Sequence, residues 1–85
     1  MKEISYTIKD PLGIHARPAG QLIKKLQGFS SSAVIMRGSD KCEGKKMLAL
    51  MKMLVKSGEE IKIQFEGADE EAAAAALEAY LPEIL

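Results

Sequence analysis

The chain has 85 residues, which is room for one domain (residues 1–85) with a modest core and too little to build a deep substrate pocket beside it, a first argument against a free-standing enzyme. Lys plus Arg number 12 and Asp plus Glu number 12, so no net basic field draws the chain to nucleic acid or to an anionic membrane surface. Cys42 and His15 are each the only residue of their type, which rules out an internal disulfide, a cysteine-based zinc site and a multi-histidine metal centre; Cys42 reads as a half-buried structural thiol.

Ile4, Tyr6 and Ile8 alternate with Ser5 and Thr7, the period-two pattern of a strand with one buried face, and Asp10-Pro11-Leu12-Gly13 breaks it. From Ala16 the apolar positions Ala19, Leu22, Ile23 and Leu26 fall three and four apart, so they line one face of a helix that Gly28 ends. Ala33 to Met36, the turn-forming Arg37-Gly38-Ser39-Asp40 and then Lys41-Cys42-Glu43 predict a hairpin with a short second strand. A second helix is expected over Lys45 to Leu54, closed by Ser57-Gly58. Ile61, Ile63 and Phe65 alternate with Lys62, Gln64 and Glu66 in another one-sided strand, stopped by Gly67. Asp69, Glu70 and Glu71 then put negative charge at the start of an alanine-rich helix, where the macrodipole favours it. Ala73, Ala76, Leu77, Tyr80, Leu81 and Ile84 form its packing stripe, and Pro82 is expected to end or bend it. The order is βαββαβα. Cleanly alternating strands have one wet face, so an α+β fold follows, a small antiparallel sheet with helices on its other face.

The segment that carries chemistry is Gly13-Ile14-His15-Ala16-Arg17-Pro18-Ala19, at the junction of a loop and the first helix. His15 falls at the cap position, and Pro18 lies in the first turn, where its missing N–H had no intrahelical partner to lose. The free N–H groups of Ala16 and Arg17 then face outward with the positive end of the helix dipole, an arrangement that binds anions, and Arg17 adds a guanidinium beside them. The same positive surroundings favour the uncharged imidazole that a nitrogen nucleophile must be. Nucleophile and anion site coincide, as phosphoryl transfer requires, since its loose transition state is governed by positioning and charge stabilisation. His15 is therefore the candidate phosphohistidine, with Ala16, Arg17 and Pro18 forming the phosphate-binding helix start.

Throughout this motif, and along the whole chain without an obvious insertion, the sequence resembles the HPr family of histidine phosphocarriers of the sugar phosphotransferase system. Phe29-Ser30-Ser31, Ile61-Lys62-Ile63 and Glu66-Gly67-Ala68-Asp69-Glu70 add weaker similarity. The resemblance implies an open-faced sandwich of four antiparallel strands with three helices on one face. It also implies that a phosphoryl group comes from phosphorylated enzyme I, resides on Nδ1 of His15 and passes to the IIA domain of a sugar permease, without a cofactor. Many family members carry a regulatory serine after a lysine at the start of the second helix; here the residue after Lys45 is Lys46, which can neither accept that phosphate nor imitate its charge.

The second helix carries more apolar surface than one buried face needs. At about 100° per residue, Leu50, Met53 and Leu54 share one sector, and Met47, Leu48 and Met51 occupy another that turns away. Methionine-rich patches suit docking on differently shaped partners. Met47, Leu48 and Met51, flanked by Gly20 and Lys24, are thus the candidate partner interface, with Lys45, Lys46 and Lys52 ringing it. An HPr-like regulatory module that signals through His15 to a non-permease partner is the alternative reading, and a nucleic-acid-binding domain is disfavoured by the balanced charge and scarce aromatics. No apolar run nears the ~20 residues of a membrane span and Met1 to Ser5 lacks a signal-peptide core, so the cytoplasm is the expected location; a monomer is expected as well.

Overall fold

In the computed structural model all 85 residues are described, and the elements follow the expected order: β1 (Lys2–Thr7), α1 (Ala16–Gln27), β2 (Ser32–Arg37), β3 (Asp40–Glu43), α2 (Met47–Lys52), β4 (Glu60–Glu66) and α3 (Glu70–Ile84). The strands form one antiparallel sheet in the order β1-β4-β2-β3. Register follows the alternation: Ile4 pairs with Ile63, Ile63 with Ile35 and Ile35 with Cys42, so one row of side chains faces inward while Ser5, Lys62, Met36 and Lys41 share the other face. Between β2 and β3 the chain turns in two residues, with Gly38 at φ 59, the positive φ that a type II′ turn needs at its first central position.

Against the inward face pack Ala19, Leu22, Ile23 and Leu26 of α1 and Ala73, Ala74, Leu77 and Leu81 of α3, all buried, as an open-faced sandwich requires. Phe65, Ile61 and Ile63 of the central strand β4 close the core from the sheet side. Cys42 is half-buried against this core, and burial raises its thiol pKa above the ordinary value. No helix is long and apolar enough to cross a membrane.

The bounds of the second helix differ from expectation. The second helix is shorter than 45–54, because Lys46 is still extended and serves as its N-cap, and because Leu54 adopts φ 52, reversing the chain so that Val55 turns into the interior. Leu54, grouped by spacing with the core sector, is consequently 70% exposed. Pro82, expected to end or bend the last helix, lies in its final turn. The helix runs to Ile84 and is closed by Leu85 N–H donating to the Leu81 carbonyl at 2.9 Å. A proline there forfeits a single N–H bond in the final turn.

Candidate functional site

Everything about the loop before α1 serves to fix where His15 stands. Gly13 has φ 67, and a Cβ on it would lie 2.2 Å from the Val55 carbonyl oxygen, so only glycine lets the loop lie against the strand of chain below. The next residue, Ile14, is buried and donates its N–H to that same Val55 oxygen at 3.0 Å. The reversal at Leu54 thus supplies the floor on which the loop rests. A turn from Asp10 to Gly13 is closed by Gly13 N–H donating to the Asp10 carbonyl (2.9 Å) and braced by Leu12 N–H donating to Asp10 Oδ1 (2.9 Å). The N–H groups of Lys9 and Asp10 both donate to the main-chain oxygen of Leu85 at 2.7 Å, and the Leu85 side chain is buried, so the end of α3 anchors the loop from behind.

His15 is the N-cap of α1, in extended conformation, and its carbonyl accepts the first helical hydrogen bond, from Ala19 N–H at 2.9 Å. Pro18 is buried in the first turn, as its position in the motif predicts. The N–H groups of Ala16 and Arg17 donate to nothing in the chain, and both residues are exposed. Arg17 forms no ion pair, so its guanidinium is available to an incoming anion. His15 itself is half-exposed, with 36% of its side chain open to solvent. None of its ring atoms bonds back onto the helix start, which leaves the donors there free.

The positive surroundings expected around His15 are only part of the picture. Asp10 Oδ2 lies 3.3 Å from His15 Nε2, a carboxylate that the chain pattern marked only as a turn former. Asp10 is held by the Leu12 N–H first and His15 after it, and together these keep its carboxyl below the ordinary carboxylate range. The chain pattern gave no sign of this contact, which arises as the turn over Asp10 to Gly13, held by Val55 and Leu85, folds residue 10 back toward residue 15.

Around α2 the candidate interface is only partly open. Leu48 is 68% exposed and Met47 39%, whereas Met51 is half-buried against the core; Gly20 and Lys24 on α1 are exposed. Of the lysines expected to ring the patch, Lys45 is turned inward, its Nζ donating to the Phe29 carbonyl at 2.9 Å, and Lys46 pairs with Glu43 at 2.8 Å. Lys52 alone of the three has neither an ion pair nor a side-chain hydrogen bond. The cationic fringe is therefore narrower than the sequence suggests. No group of three or more His, Cys, Asp or Glu side chains is arranged to hold a metal ion.

Fold and site together define a small open-faced sandwich that presents a single half-exposed imidazole at the start of a helix whose first N–H groups are unbonded. The family model described as the HPr component phosphorylation site of the phosphotransferase system matches residues 2–83. Relatives called phosphocarrier protein HPr are 38% identical over 84 residues in Lysinibacillus sphaericus (99% of this chain, 96% of that protein) and 41% identical over 83 residues in Mycoplasma genitalium (95% and 93%). The solved structure of a Mycoplasma histidine-containing phosphocarrier protein superposes with a TM-score of 0.92 at 34% identity, covering 96% of this chain and 93% of that one. The chain belongs to the HPr family of phosphocarrier proteins of the phosphotransferase system.

Proposed function

We propose that the chain accepts a phosphoryl group on Nδ1 of His15 from phosphorylated enzyme I and delivers it to the IIA domain of a sugar permease. The observation that carries this reading is the coincidence, on an open surface, of a half-exposed imidazole with two unbonded N–H groups and an unpaired guanidinium. Three equatorial phosphoryl oxygens need donors of this kind, and backbone donors already aimed outward require little reorganisation when the charge arrives.

An exposed site also suits exchange between proteins. The donor must bring its phosphoryl group, and the acceptor its unphosphorylated nucleophile, to the same nitrogen, so both have to dock over the same surface. Met47 and Leu48, with Gly20 and Lys24 beside them on α1, are the residues that this docking uses, and Met51 supports them from below. The protein acts as a carrier rather than an enzyme, as a cytoplasmic monomer and without a metal or cofactor of its own. Lys46 as the cap of α2 leaves no hydroxyl for phosphate control at that position.

Incubation with phosphoenolpyruvate, magnesium and a bacterial enzyme I, followed by intact mass measurement and acid treatment, tests the proposal. The expected result is an acid-labile gain of one phosphoryl group that His15→Ala lacks. A folded wild-type chain that takes up none from its cognate enzyme I overturns it.

A further inference from the structure

Asp10 is held through both its main chain and its side chain: its N–H donates to Leu85, its carbonyl accepts from Gly13, Oδ1 accepts from Leu12 N–H, and Oδ2 faces Nε2 of His15 at 3.3 Å. A side chain so tethered is not an incidental neighbour of the imidazole. An ionised carboxylate can only accept hydrogen bonds, so the ring atom it faces must carry the proton. We infer that Asp10 is a positioning residue that holds His15 in the Nε2–H tautomer, aims the ring, and thereby leaves the lone pair of Nδ1 as the nucleophile for the phosphoryl group.

The catalytic part of this inference rests on the carrier role proposed above; the tautomer itself does not. In the transfer step the lone pair of Nδ1 forms the bond to phosphorus as the bond from phosphorus to the donor's leaving atom breaks, and the donor keeps that electron pair. No proton moves. Nε2 keeps its hydrogen, so the ring takes on positive charge, and the carboxylate of Asp10 lies against it. The phosphoryl oxygens meanwhile meet the Ala16 and Arg17 N–H groups and the Arg17 guanidinium. Asp10 and the helix start thus serve opposite ends of one ring: the first stabilises the cation that forms, the second the dianion it carries. The same contact favours phosphohistidine over its hydrolysis, which is what a carrier between two docking events needs.

Asp10→Asn separates this role from simple loop support. Asn keeps the Oδ1 that accepts from Leu12 N–H, but presents an NH2 donor to Nε2, which must then accept, driving the proton to Nδ1, in the same sense as the Asp→Asn change in a serine-protease triad. Nitrogen-15 NMR of the imidazole, on the unphosphorylated protein at alkaline pH, reads the tautomer directly. The expected result is Nε2–H in the wild type and a clear increase of Nδ1–H in Asp10→Asn, with phosphoryl acceptance slowed about tenfold, the scale of one charge-assisted hydrogen bond at a half-exposed site.

Asp10→Ser is the second arm. It retains a turn acceptor for Leu12 but stops short of the ring, so it is expected to slow acceptance by a similar factor without reversing the tautomer. An unchanged tautomer in a folded Asp10→Asn chain, or an Asp10→Ser chain as fast as wild type, overturns the inference. A wild type that shows the tautomer and its reversal yet takes up no phosphoryl group would instead defeat the carrier proposal and leave the role of Asp10 in place.

Discussion

Asp69 does more for this fold than its place before α3 implies. Its carboxylate accepts from the Ser31 hydroxyl, from Ser30 N–H at 2.8 Å and from Ser31 N–H at 2.9 Å, bridging the end of α1 to the start of α3. The Ser31 hydroxyl, followed by the Ser30 N–H, holds the Asp69 pKa down at about 2. A carboxyl whose pKa is lower folded than unfolded stabilises the fold above its ordinary value of 3.8 and loses that contribution as pH falls from there through about 2. The urea midpoint of the wild type is therefore expected to drop across that window. Asp69→Asn should lower the midpoint at neutral pH and flatten the acid limb; an acid limb as steep as that of the wild type would show that other carboxylates govern it.

At the scale of elements, the sharpest feature is the junction after α2. Leu54 is a large apolar residue in the left-handed region, with φ 52, and 70% exposed. That conformation costs an ordinary side chain about 1–2 kcal/mol, and glycine avoids it while giving back about 0.4–1 kcal/mol through its freer unfolded chain. Leu54→Gly is thus expected to stabilise the protein by about 0.5–1 kcal/mol. Equilibrium urea unfolding, read as a midpoint shift at constant slope, checks it. The helix period of residues 47 to 54 gave no sign of this reversal, because Leu54 continues the apolar spacing. The turn is imposed from outside α2, by the need to bring the Val55 carbonyl under Ile14 and the loop that carries His15.

The whole molecule is a single small core shared by sheet and helices, and this governs its tolerance to change. Leu77 of α3 is fully buried, and truncating such a leucine removes about 2–5 kcal/mol, a large part of the roughly 5–15 kcal/mol that stabilises a domain. Leu77→Ala is accordingly expected to bring thermal unfolding toward the working temperature. Because α3 also anchors the loop before His15 through the Leu85 oxygen, the loss should appear there, as faster hydrogen exchange at Lys9 and Asp10 N–H, the two donors to that oxygen. Unchanged exchange there would mean that the loop is held independently of α3.

What the chain determines by itself is what lies close together in sequence. Alternation set β1 and β4 and their buried faces, the turn at Arg37-Gly38-Ser39-Asp40 set the β2–β3 hairpin, three-and-four spacing set α1 and the stripe of α3, and the His15-Ala16-Arg17-Pro18 run marked the helix start, since cap, turn and proline positions depend on immediate neighbours alone. Tertiary structure decided the rest. The strand order, the reversal at Leu54, the inward turn of Lys45 and the Asp10 carboxylate against the ring of His15 each depend on segments that meet only once the core has formed. The physical reason is that periodicity reports which side of an element is apolar, whereas a polar contact or a strained φ reports what the other elements have placed beside it.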